Sequence, residues 1–68
     1  MPKQFSSQEV IDILSKKGFV FVSQRGSHIK YRKGEFTVII PWGRKEIPLG
    51  TLRSIIRQAG LNKHIFQR

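Results

Sequence analysis

The sequence predicts an α+β domain in which two amphipathic helices flank three short strands, in the order αβββα. Three observations carry this. Apolar residues recur at helical spacing near both ends, as Val10, Ile11 and Leu14 and then as Leu52, Ile55, Ile56 and Ala59. Between them lie three short runs rich in aromatic and β-branched residues. Glycine-bearing turns separate those runs. The arrangement expected is a three-stranded antiparallel sheet with both helices packed on one face and the other face left open.

The first helix is announced at residues 5 to 17. Ser6 is placed as N-cap, Glu9 completes a capping box three residues later, and Phe5 is positioned to staple onto Val10. Gly18 stops the helix as its C′ residue. "FVFVSQ" (19–24) is too short and too β-branched for anything but a strand. The "RGS" turn leads into "HIKYR" (28–32), whose alternation puts His28, Lys30 and Arg32 on one face and Ile29 and Tyr31 on the other. Lys33 and Gly34 reverse the chain, and "EFTVII" (35–40) forms the third strand, ended by Pro41. "PWGRKEIPLG" reads as a loop by its proline and glycine. "TLRSIIRQAG" is the second helix, with Gly60 as its stop and Leu61 placed for a Schellman-type contact. Residues 62–68 are expected to form a short final turn or to fray.

At 68 residues the chain is read as one domain spanning 1–68, with a small core. It has no cysteine, so disulfides are excluded, and its two histidines and four acidic residues show no metal-ligand spacing. No cofactor is expected. "MPKQFSSQEV" lacks the apolar core of a secretory signal, and the longest apolar runs fall far short of a membrane span, so a cytoplasmic protein is expected. Thirteen Lys and Arg against four Asp and Glu give a net charge of +9. Such a field attracts polyanions, nucleic acid first among them; solubility, or an acidic protein partner, is the blander explanation.

An open sheet face carrying His28, Lys30 and Arg32 in a row, with Arg25 and Lys33 at the adjoining turns, can hold a phosphodiester against an imidazole. Cleavage of RNA needs one group to take the proton from a 2′-hydroxyl and cations to stabilise charge growing on the phosphate oxygens. Histidine, which exchanges a proton near neutral pH, suits the first role. Gly26 removes a side chain where a phosphate approaches, and the Gly26 and Ser27 amides with the Ser27 hydroxyl can donate to it. Against this, a histidine in a hairpin is more often an ordinary surface residue. Trp42, beside Arg44 and Lys45 in the loop, either stacks on a base or covers the core. Arg53 and Arg57 share the outer face of the second helix, as a solvated pair or as a contact to phosphate or partner. His64, in the tail, has no surrounding cluster.

Three pieces of sequence resemble the HicA toxin family of mRNA interferases: "KKGF" (16–19), "GSHIKY" (26–31) and "EIPLGTLRSIIRQAGL" (46–61). The last is the most specific, and together they span nearly the whole chain. The resemblance implies a fold like the double-stranded-RNA-binding domain and a metal-independent endoribonuclease acting on mRNA. It makes His28 catalytic; the basic residues Arg25, Lys30, Arg32, Lys33, Arg44 and Lys45, with Gly26 and Ser27 of the turn, are the set read from the residues themselves as holding the RNA. The resemblance also implies a HicB-like antitoxin that covers the active face. Many relatives carry a second histidine shortly after the proline that ends the third strand, where this chain has Trp42 and Gly43. The acid that protonates the leaving oxygen is then left among Tyr31, Lys30 and water.

Two other readings stand beside this one. A non-catalytic binder of double-stranded RNA would use the same fold, although "GTLRS" offers only Arg53 and Arg57 where such domains carry a lysine-rich helix start. A basic module that docks an acidic protein would need no RNA at all.

Overall fold

A computed structural model describes residues 4–62, and it has the order α1 (Ser7–Lys16), β1 (Val20–Arg25), β2 (His28–Lys33), β3 (Phe36–Pro41) and α2 (Leu49–Gln58). The expected αβββα architecture is what forms. The final turn or frayed tail expected at 62–68, and His64 with it, lies outside the described residues except for Asn62.

Helix α1 starts where its capping box requires. The Ser6 hydroxyl accepts from the Glu9 amide at 3.1 Å, and the Glu9 carboxylate accepts from the Ser6 amide at 3.0 Å. Both helices end in the same Schellman arrangement. Phe19 N–H donates to the Leu14 carbonyl and Gly18 N–H to that of Ser15; Leu61 and Gly60 repeat the pattern on Ile56 and Arg57. Helix α2 opens at Leu49, two residues before Thr51, with Pro48 as an N-cap that makes no side-chain bond.

The strands pair in the order β1-β2-β3, both pairs antiparallel. β1 and β2 meet through the two-residue turn Gly26-Ser27. Gly26 has φ +55° and Ser27 a negative φ, the type II′ geometry that demands glycine first. Ile29 on β2 and Val38 and Ile40 on β3 enter the core, where they join Phe5, Val10, Ile11, Leu14, Phe19, Ile47, Leu52, Ile55 and Ala59.

Both helices pack against β3. β1 is left overhanging, and all six of its residues are exposed. Within "FVFVSQ" only Phe19, just ahead of the strand, reaches the core. A bulge between Phe21 and Ser23 also shifts the register of β1 against β2. It turns Phe21 to the helix side, edge-on to Tyr31 with ring centroids 6.0 Å apart, and Ser23 and Arg25 to the opposite side. Without the extra residue, those three side chains would share one face.

Candidate active site

The bare face of the sheet is assembled by cross-strand register. His28, Lys30 and Arg32 alternate along β2, all exposed, while Ile29 is buried and Tyr31 half-buried on the other side. From β1, Arg25 stands opposite His28 and Ser23 opposite Lys30. From β3, Pro41, Ile39 and Thr37 stand opposite His28, Lys30 and Arg32. Ser23, Arg25, His28, Lys30 and Ile39 line an open hollow of about 310 Å³.

The hydrogen-bond parity of the sheet follows from two residues. Pro41 has no N–H, and the Ile39 N–H donates outward to the Gln58 side-chain oxygen at 3.1 Å. His28, Lys30 and Arg32 therefore direct their backbone groups to β1, and their pairs with β3 are the non-hydrogen-bonded kind. Cα atoms in such pairs lie only about 4.5 Å apart, so His28 and Lys30 stand close against Pro41 and Ile39. Lys30 lies two strand positions from His28, about 7 Å along β2.

The end of β3 is held at three points. Trp42 N–H donates to the Ser27 carbonyl at 2.6 Å, tying the loop to the turn in front of His28. The buried Ser7 hydroxyl donates to the Pro41 carbonyl and accepts from the Arg44 N–H at 3.0 Å. The Ser7 N–H in turn donates to the Arg44 carbonyl at 2.9 Å. The strand position that faces His28 is thus anchored to the first turn of α1.

The residues singled out from the sequence do not all meet. His28, Lys30 and Arg25 line the hollow, with the Gly26-Ser27 turn at its end. Arg32 shares their face, but at the far end of β2, where its Nε donates to the Gly34 carbonyl at 3.0 Å. Lys33 is on the other side of the sheet. Its ammonium donates to the Lys17 carbonyl at 2.6 Å, at the end of α1. Arg44 and Lys45 are exposed on the loop and are not among the residues lining the hollow. Trp42 stays outside the buried core at 38% exposure, next to Pro41. Tyr31 is carried to the helix side, away from His28, so that of Tyr31 and Lys30 only Lys30 shares the face of His28.

Ser23, Ile39 and Ser7 were not singled out from the sequence. The only signal for Ile39 was its cross-strand position. Ser23 depends on the bulge, and Ser7 on partners 34 and 37 residues away. Among the described residues, no three His, Cys, Asp or Glu side chains gather, and no helix is long and apolar enough to cross a membrane.

A bare, cationic sheet face with one histidine beside the β1–β2 turn, backed by two helices, defines a small basic α+β domain of αβββα order. The family model described as the HicA toxin of bacterial toxin–antitoxin systems matches residues 7–61, and the chain belongs to that family. The matched span runs from the first residue of α1 to the Schellman contact after α2. A comparison with curated proteins finds no match.

Proposed function

We propose that this toxin is an endoribonuclease that cleaves mRNA in the cytoplasm, with His28 as its general base, and that a HicB-like antitoxin neutralises it. The observation that carries the reading is the exposed imidazole of His28 inside a hollow whose other polar groups are Ser23, Arg25 and Lys30. In this scheme His28 takes the proton of a ribose 2′-hydroxyl. The freed 2′-oxygen attacks the adjacent phosphorus, and the bond from phosphorus to the 5′-oxygen breaks. The leaving 5′-oxygen gains a proton from Lys30 or from water, and a 2′,3′-cyclic phosphate remains. Arg25 and Lys30 stabilise the charge that builds on the non-bridging oxygens. The space around the Gly26 Cα is open, with no atom beyond its chain neighbours within 4 Å of where a Cβ would sit, and leaves room for the RNA backbone at the turn. No step calls on a metal.

The shape of the site favours unpaired RNA. Ile39 and Pro41, opposite Lys30 and His28, make an apolar shelf on the β3 side of the hollow, suited to a base turned out of a stack, and the exposed Trp42 follows next along the chain. Labelled single-stranded RNA incubated with the protein in EDTA tests the proposal. Cleavage is expected from the parent chain and a loss of at least about 100-fold from His28→Ala, with fold and antitoxin binding retained. RNA that is bound but left intact by the parent would make it a non-catalytic binder.

A further inference from the structure

The two edges of the sheet differ. On β3, the outward Ile39 N–H is taken by Gln58 and the Pro41 carbonyl by Ser7. On β1, the outward backbone groups are those of Phe21 and Gln24, by the same parity. Three large apolar side chains sit on that strand at high exposure: Val20 at 62%, Phe21 at 56% and Val22 at 46%. Three consecutive exposed apolar residues on one edge of a chain carrying +9 are not solubilising.

We infer that β1 is the docking surface for the antitoxin, which meets it with apolar side chains set among acidic ones. The inference rests on the toxin–antitoxin membership of the family and adds the place and chemistry of the contact. Charge selects this occupant. Arg25 closes one end of β1, and Arg32 stands opposite Val20 at the other, with Lys30 between them on β2. An acidic partner gains from all three cations, whereas a second copy of the chain would bring +9 against +9. The bulge disfavours the second copy as well. It sets the outward backbone groups three residues apart, at Phe21 and Gln24, and so breaks the two-residue repeat that a β1-to-β1 ladder needs. Apolar side chains of the partner then cover Phe21, Val22 and Val20, while its carboxylates reach Arg25 and Lys30 at the rim of the hollow. Blocking the hollow follows from occupying the edge beside it.

The test uses the full chain, its antitoxin and the double variant Phe21→Thr/Val22→Thr, which keeps strand-forming residues at exposed positions. Titration calorimetry should show antitoxin affinity at least about tenfold weaker for the variant, with unchanged RNA cleavage and a cooperative melting curve lowered only by the loss of the edge-on Phe21–Tyr31 contact. In cells, antitoxin co-expression should rescue growth from the parent toxin and fail to rescue it from the variant. Val20→Thr, at the most exposed of the three positions, should weaken affinity in the same direction. Affinity within twofold of the parent overturns the inference. Equal losses of RNA cleavage and antitoxin binding would assign the patch to RNA and also overturn it. Slow hydrogen exchange of the Phe21 and Gln24 amides in the chain alone would show that the chain covers its own edge, with the same result. If the parent cuts no RNA, the ribonuclease reading falls, and calorimetry still decides the docking surface.

Discussion

Ser7→Ala asks how much of the site's geometry depends on one hydroxyl. Ser7 is 2% exposed, and its Oγ serves both the Pro41 carbonyl and the Arg44 N–H. Alanine removes two part-buried hydrogen bonds and leaves a carbonyl and an amide without that partner. Each bond contributes about 0.5–1.5 kcal/mol net, and stranding a buried group costs about 1–3 kcal/mol. The backbone bond from Ser7 N–H to the Arg44 carbonyl survives the change and limits the relaxation. A loss of about 2–4 kcal/mol is expected, against a total stability of about 3–10 kcal/mol for a chain of this length. The melting temperature should fall by about 10–25 °C. Ser6→Ala supplies the control. It removes only the N-cap, at about 1 kcal/mol. Thermal unfolding followed by circular dichroism compares the two, and Trp42 fluorescence anisotropy reports whether the loop loosens. Should Ser7→Ala cost no more than Ser6→Ala, with Trp42 as rigid as in the parent, Ser7 does not hold the loop and the reasoning fails.

Lys30→Ala should weaken RNA binding and lower its salt slope by about 0.7, while Lys33→Ala should leave that slope unchanged because its ammonium sits on the Lys17 carbonyl behind the sheet. Trp42→Ala should weaken single-stranded RNA by about 1–3 kcal/mol with little change in melting, and quenching of this single tryptophan by RNA is the complementary signal. Gly60→Ala should cost about 1–2 kcal/mol by denaturant titration. The position has φ +66°, and the new Cβ would collide with the Phe36 ring at Cε1 and come within 2.8 Å of Cζ; a neutral effect would show that ring and turn both yield freely.

What the sequence announced was mostly local. The Ser6–Glu9 box, the stops at Gly18 and Gly60, and the face shared by His28, Lys30 and Arg32 each depend on residues within a few positions of one another. At Lys33 two local rules conflict. The alternation that separates His28 from Ile29 also puts Lys33 with Ile29 and Tyr31, but its place beside a turn suggested the opposite. Ser23, Ser7 and Gln58 were not legible. Ser23 reaches the site through an unannounced bulge, and the other two act across the fold, on Pro41 and Ile39. The exposure of β1 was hidden for a similar reason. "FVFV" reads as core by composition, yet both helices pack on β3 and leave β1 without cover.

β2 explains why the site and the core cannot be tuned apart. Its odd residues Ile29 and Tyr31 build the packed side, and its even residues His28, Lys30 and Arg32 build the bare one. A slip of one residue would exchange the two sets, sending an imidazole and two cations under the helices and Ile29 into the hollow. Register is therefore where specificity of fold and function coincide, and the chain pins it at both flanks of β2. The II′ turn at Gly26-Ser27 fixes β1 against β2, and the Trp42 to Ser27 bond fixes the end of β3 against that same turn. Ser7 then ties β3 to α1, so that a slip would also break the contacts of a buried hydroxyl. A third layer over the bare face would bury Val20 and Ile39 and add stability, at about 25 cal/mol per Å² of apolar surface. It would also bury His28. On the proposed ribonuclease reading the imidazole has to reach a phosphodiester, so that face stays open at the cost of the stability a cover would add. The apolar residues at its margins are left for proposed binding partners to cover.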